Sequence, residues 1–314
     1  MKILITGGAG FVGRNMIRFI RRAIPAASIL VVDTLSEDPE SFFRQGLDRA
    51  AELHVADVRD YVPHALVDGD RFDLCIHLAA VVGGRQKIEG EPLAVAQDLA
   101  IDATVINGVH AGLADELMYF SSSAAYPRHL QADEDAPALR ERMIDVHHLD
   151  GSPDLTYGWA KLTGEFLCSF LTHTKVTIFR PFSGYGEDQA PTYPFPAIMR
   201  RIRDGEDPVV VWGSGMQIRD WIHIEDVCRM AFELHRAAPS GEVYNLGTGL
   251  GTTFDELVRT ALDVCGRTAE ITADASKPEG VFCRYADTAK ARALGVWPTI
   301  GLPEGIERWM EANA

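Results

Sequence analysis

The sequence predicts an α/β fold: a doubly wound parallel sheet with helices on both faces, joined to a smaller, mostly C-terminal lobe. Three observations carry this expectation. Short apolar runs alternate with stretches of helical periodicity through the first two thirds of the chain, the pattern of crossover units that build parallel sheets. A glycine-rich run, ITGGAGFVG over residues 5–13, separates the first strand from the first helix. Beyond Pro181 the rhythm loosens into sequence rich in Gly, Pro and Tyr.

The elements follow in order. Residues 2–5 form an apolar run that stops at the glycines, and 11–22 place apolar side chains at helical spacing. Residues 28–32 read as a second strand ending at Asp33, with 52–55 and 74–78 as further strands, the latter stopping at Ala79-Ala80. A long helix is expected over 93–113, then a strand over 116–120 that runs into Ser121-Ser122-Ser123. Residues 158–172 give another helix, and 176–179 a strand closed by Arg180-Pro181. After it come a loop over 184–196, a short basic helix over 197–203, a strand over 209–212 and a helix over 223–237. Residues 244–246 form a short strand able to return to the main sheet. The expected division is 1–180, with 220–248 returning to it, against 181–219 and 249–314. Residues 128–154 are polar and read as a long surface excursion, functional or mobile.

Composition narrows the function. With 314 residues, 46% of them hydrophobic, the chain can bury a large core. A formal net charge of -15 disfavours nucleic acid and anionic membranes as partners. It does not exclude a small anion held by a few arginines. The five cysteines are scattered without a CxxC pair, as expected of reduced thiols in a cytoplasmic protein. The chain enters its first strand with no cationic leader, and no run approaches the ~18 apolar residues of a membrane span. No metal ligand set is assigned.

Gly7, Gly10 and Gly13, with Phe11 and Val12, lie where a strand turns into a helix. Glycine allows a tight turn and close approach of a pyrophosphate, whose charge meets the helix N-terminus. The spacing is GxxGxxG rather than the commoner GxGxxG. Asp33 stands 20 residues after Gly13 and ends the second strand, where a carboxylate accepts from ribose hydroxyls and repels a 2′-phosphate. The arrangement is that of a Rossmann-type dinucleotide site, with NAD preferred to NADP. Leu78, Ala79 and Ala80 end a neighbouring strand on the same side. Asp57-Val58 either meets the adenine or is an ordinary solvated loop.

Lys161 follows Tyr157 by four residues, about one helical turn, so both side chains leave one face. An ammonium beside a phenol favours the phenolate, and a bound cationic nicotinamide favours it further. The serine run ends a strand of the same sheet, at the edge where such folds bind ligands. A Ser122 hydroxyl there reaches both a substrate oxygen and the Tyr157 phenol.

These motifs resemble the extended short-chain dehydrogenase/reductase family, specifically its nucleotide-sugar epimerases and dehydratases. The resemblance rests on ITGGAGFVG, HLAA at 77–80, SSSAAYP at 121–127, YGWAK at 157–161, FRPFSGYG at 179–186, WGSGMQIRDWIHIEDV at 212–227, YNLGTG at 244–249 and LGVWPTIGLPEGI at 294–306. It implies Tyr157 as base, Lys161 on the nicotinamide ribose, and Ser122 as the serine of the triad. It also implies Arg219 and Arg284 as clamps on a nucleoside-diphosphate sugar. Ser183 stands where much of the family has Asn. A homodimer is implied, built from two helices per subunit, one carrying Tyr157.

In this family the two positions after the triad serine face the sugar. Dehydratases place acids there, and the 3,5-epimerases and fucose-type epimerase-reductases use a Cys. Here they are Ser123-Ala124, and neither removes a proton beside a ketone. The chemistry left is 4-epimerisation: oxidation at carbon 4, rotation of the ketone and hydride return. Against this, HLAAVVGG and KPEGVFCRYAD (277–287) look more like GDP-mannose 3,5-epimerases and fucose synthases. A 3,5-epimerase or a net oxidoreductase is therefore the alternative, with His147 or His148 of the polar excursion as candidate acid-base groups. A non-catalytic NAD sensor is disfavoured by the Tyr157/Lys161 pair. His77 and His223 read as structural.

Overall fold

The computed structural model describes residues 1–36, 39–81, 83 and 85–314. Its centre is a seven-stranded sheet built on β1 (Lys2–Thr6), β2 (Ser28–Asp33), β3 (Glu52–Val55), β4 (Phe72–His77), β5 (Ala114–Phe120) and β6 (Lys175–Pro181), with the strand Glu242–Leu246 at one edge. The order is Glu242–Leu246, β6, β5, β4, β1, β2, β3, and every pairing is parallel. The chain reverses direction across the sheet between β1 and β4, the switch point where such sheets open a crevice. Strands buried on both faces explain the unbroken apolar runs: Ile3, Leu4 and Ile5 have no exposed surface.

Two apolar clusters cover the sheet. One joins Ile3, Ile5, Met16, Ile17 and Ile20 to Met230 and Leu234 of the helix Ile224–Ala237. The other joins Leu4, Val32 and Cys75 to Val58, Val62, Val105 and Val109. A third cluster lies apart, around Tyr185, Phe195, Val211, Trp221, Leu257 and Trp309. It is drawn from the helices Pro194–Arg203, Phe254–Val264 and Leu302–Ala312 and short strands between them.

Several expectations need correction. The helix expected over 93–113 comes as Pro92–Val95 and Asp98–His110. At Ala96-Gln97 the backbone bonds tighten to three-residue spacing, Gln97 N–H to Ala94 O and Leu99 N–H to Ala96 O, which breaks the α-helix although apolar periodicity continues. The Tyr157 helix starts earlier than expected and runs Leu155–Cys168. Part of the expected loop over 184–196 is ordered as the strand Ser183–Tyr185 and the opening of Pro194–Arg203. Residues 128–154 are not a free excursion. Gln131 and Leu139 are buried, Leu139 bridges to Ala286, and the Glu141 carboxylate accepts from the Asn245 backbone N–H at 2.9 Å. Three polar residues of this otherwise largely exposed segment, Gln131, Glu141 and Asp154, are partnered inward, which composition alone does not reveal. Among the described residues no helix is long and apolar enough to cross a membrane, and the five cysteines are free thiols.

Candidate active site

The glycine loop is shaped by close backbone approaches. Gly7 has φ +70°, and a Cβ there would lie 2.5 Å from the Ala79 backbone nitrogen, so the loop rests directly on Leu78-Ala79 at the end of β4. A Cβ on Gly13 would lie 2.5 Å from the Gly8 Cα. Gly10 opens the helix Phe11–Ala23 with no side-chain cap, which leaves the first-turn N–H groups of Phe11, Val12 and Gly13 to a ligand. Asp33 accepts from the Ala9 N–H at 3.0 Å and the Leu35 N–H at 2.8 Å. Burial raises its pKa against these bonds. The cradle, the uncapped helix end and this carboxylate fit the pyrophosphate and ribose of a dinucleotide.

Asp57 and Val58 have structural uses. Asp57 caps the helix Val58–Asp68 through the Arg59 N–H and also chelates the Arg59 guanidinium, whose bonds hold its pKa below the usual carboxylate value. Val58 lies 4% exposed in the core.

Tyr157 and Lys161 share a face of the Leu155–Cys168 helix, as their spacing requires. The Ser122 side chain lies beside the Tyr157 phenol and favours its ionised form, and the Ser122 hydroxyl oxygen accepts from the Ala124 N–H at 3.1 Å. Ser121 is engaged elsewhere, donating to the buried Glu165 carboxylate, and Ser123 is buried. Ser122 is thus the member of the serine run that meets the phenol.

The charge around this pair is richer than expected. Lys161 Nζ lies 3.4 Å from Asp102 Oδ1, both buried. Asp102 also accepts from the Tyr119 hydroxyl at 2.5 Å and lies 3.0 Å from His77 Nε2. His77 is braced on its other side by Thr6 at 2.6 Å, and burial lowers its pKa. One turn earlier, Asp98 has no exposed surface. It accepts from the Val81 N–H, and among the described residues its Oδ2 has no partner. Burial raises its pKa to about 6. The Tyr157 phenol is therefore raised, not lowered: burial pushes it up, Lys161 and Ser122 pull it down, and Asp98 and Asp102 oppose them. Lys161 does not by itself offset the burial of the phenol, and part of its charge is answered by Asp102. The two carboxylates were missed because an acid in an apolar helix carries no local mark of the direction it faces.

A second group gathers on the substrate side. Arg284 donates to Asp154 Oδ2 at 2.9 Å and to the Gln131 side chain. Arg85 donates to both Asp154 oxygens, at 2.9 and 2.8 Å. Arg219 donates to the carbonyls of Ile218, Phe282 and Glu279. Among the described residues no carboxylate forms an ion pair with Arg219. Asp220 is taken up by Thr248, Gly249 and Ala286, and Glu225 by Arg22 and Arg308. Burial, then Arg284 and Arg85, lower the Arg219 pKa to about 9. The guanidiniums of Arg85 and Arg219 flank Gly280. Beside them opens a cavity of about 450 Å³ whose lining includes Arg128, Gln131, Glu279 and Phe282. Arg85, Gln131 and Asp154 were not singled out in the sequence. An Asp opening the tyrosine helix was the available signal.

The remaining candidates lie apart from this cluster or are held by backbone. Ser183 donates its N–H to the Asp220 carbonyl beside Trp221, and Ala124 is buried under the tyrosine helix. His148 is exposed and paired with Asp145. The His147 ring packs edge-on against Phe166, nine residues after Tyr157 and so on the opposite side of that helix. His223 caps the helix Ile224–Ala237 through the Glu225 N–H.

Comparison with known proteins agrees with this geometry. A sequence model described as the NAD dependent epimerase/dehydratase family matches residues 3–247. The chain is 29% identical to a dTDP-glucose 4,6-dehydratase of Actinoplanes sp., covering 100% of this chain and 98% of the relative. It is 28% identical to the GDP-L-fucose synthase of Escherichia coli, over 81% of this chain and 84% of that one. Among solved structures it is similar to a UDP-glucose 4-epimerase of Thermotoga maritima with UDP-glucose, with TM-score 0.86, 25% identity and coverage of 100% and 98%. The cofactor of the family is NAD, and the chain belongs to the NAD-dependent epimerase/dehydratase family.

Proposed function

We propose that the chain is a nucleotide-sugar 4-epimerase. The observation that carries this reading is the turn at Ser122-Ser123-Ala124, which itself contributes hydroxyls and a methyl group and no acid, thiol or amine. Tyr157 takes the proton of the sugar's 4-hydroxyl, with Ser122 bonded to the same oxygen and Lys161 favouring the phenolate. NAD, held by the glycine loop and Asp33, would supply the hydride acceptor for carbon 4 and be regenerated within each turnover. Arg219 and Arg284 hold the diphosphate by paired N–H donors, the nearby cavity takes the nucleoside, and the ketone turns before Tyr157 returns its proton. Residues 1–180 with 220–248 form the NAD-binding part, and 181–219 with 249–314 the main sugar-nucleotide part. The free thiols suit a reducing compartment such as the cytoplasm.

Two copies pair through the helices Asp98–His110 and Leu155–Cys168. Leu99 and Trp159, on these helices, are 43% and 44% exposed, and Phe170 just beyond is 58% exposed. An apolar face of this kind on two adjacent helices is suited to a partner.

The likeness to a GDP-L-fucose synthase supports a second reading, a 3,5-epimerase or net oxidoreductase. The two are separated by incubating enzyme and nucleotide sugar in deuterated water without added cofactor. A 4-epimerase yields the epimer with no NADH absorbance and no ring deuterium. Deuterium at carbons 3 or 5, or accumulating NADH, would overturn the first reading. Tyr157→Phe should lose at least ~10²-fold in kcat while retaining NAD.

A further inference from the structure

We infer that Asp154 is a positioning residue of the substrate site, pairing Arg85 with Arg284 and fixing this anion clamp to the start of the helix that carries Tyr157. The inference rests on the nucleotide-sugar reading and adds Arg85 to the groups that meet the diphosphate.

An Asp at a helix start ordinarily turns its side chain back onto the first-turn N–H groups. Asp154 makes no such bond. Its carboxylate, 5% exposed, points outward from the helix to Arg85 and Arg284. Burial opposes its charge, but the two guanidiniums prevail and hold its pKa below the usual carboxylate value. One carboxylate thus holds two partly buried cations together, with Arg219 close enough to be depressed by both. Glu89, at the rim, takes Arg85 Nε. The inner cluster keeps an excess of positive charge, which an anionic diphosphate neutralises.

The donors are arranged for a second acceptor. Arg284 commits Nε to Gln131 and Nη2 to Asp154. Arg85 commits Nε to Glu89 and Nη1 to Asp154. Nη1 of Arg284 and Nη2 of Arg85 have no protein partner among the described residues. Arg284, gripped along its Nε–Nη2 edge, presents Nη1 at a fixed angle, and Arg85, held at Nε and Nη1, presents Nη2, donors suited to phosphate oxygens.

The backbone of the same residue reaches the chemistry. The Asp154 N–H donates to the Ala124 carbonyl at 2.9 Å, and its own carbonyl accepts from the Gly158 N–H at 2.9 Å. Leu155 follows with φ +54°, a left-handed conformation that a branched residue keeps only when its neighbours hold it. The Ser122 turn, the Tyr157 helix and the clamp therefore meet at one residue. An anchored diphosphate sets the height of the sugar over the phenol.

The test compares the wild type with Asp154→Asn and Arg85→Gln. Calorimetric titration uses UDP, GDP, ADP, CDP and dTDP, with NAD content and melting temperature as controls. Wild-type enzyme should bind at least one nucleoside diphosphate. Both variants should bind it at least tenfold more weakly with NAD content unchanged, and the double variant should be little worse than either single one. A merely structural role would instead lower NAD retention and melting temperature along with affinity. If the wild type binds a diphosphate and Asp154→Asn binds it equally well or more tightly, the inference fails and the nucleotide-sugar reading stands. If the wild type binds none, that reading fails and takes the inference with it. Should Asp154→Asn not fold, Arg85→Gln decides alone: undiminished affinity overturns the proposal.

Discussion

Tyr157 works against its surroundings. Burial and the carboxylates of Asp98 and Asp102 raise its pKa, and Lys161 with Ser122 only partly offsets them. A base with a raised pKa gives a rate that climbs with pH. Asp98→Asn, which removes one opposing charge, should shift that climb to lower pH in a pH profile of kcat. The same substitution tests stability. Asp98 is raised from 3.8 to about 6 in the fold, so the folded state binds its proton more readily than the unfolded chain. Stability is then fully present below pH ~4 and is lost as pH rises through about 6. Two units correspond to roughly 3 kcal/mol. Urea unfolding of Asp98→Asn should show a gain approaching this at pH 8 and none at pH 4, since Asn still accepts from the Val81 N–H. Tyr157, Lys161 and Ser122 were legible because their relation is local, one helical turn and one strand end. Asp98, Asp102 and Arg85 were not. Each reads as a solvated charge until distant segments enclose it, and no spacing within its own segment records that.

At the level of elements, the glycine loop and the strands were plain in the sequence, whereas helix ends were not. Gly7 and Gly13 answer to close backbone neighbours. Gly13→Ala sets a methyl group against the Gly8 Cα, which cannot swing aside as a side chain can. The variant should lose more than ~2 kcal/mol of stability and release its NAD, measured by thermal melting and by cofactor content after gel filtration. The division of the 93–113 helix was hidden for a related reason. Apolar periodicity survives a change from four-residue to three-residue bonding, so the pattern shows which side is buried and not where the α-helix stops.

For the molecule as a whole, the exposed Trp159 and its neighbours predict association. Trp159→Glu should convert a dimer into monomers in analytical ultracentrifugation with little change in melting of the isolated subunit. Elsewhere, Asp188 draws together Arg14, Asn15 and Arg18 of the first helix, a partly buried tether between the cofactor loop's helix and residues read from sequence as mere loop. The polar segment 128–154 was misjudged at this scale too, because its partners, Ala286, Asn245 and Arg284, lie more than a hundred residues away. Its anchoring has a practical outcome. Residues 147–152 are exposed, while Gln131 and Leu139 on one side and Asp154 on the other are held inside. A protease that nicks the exposed stretch would produce two pieces that stay together under native conditions and separate only in denaturant.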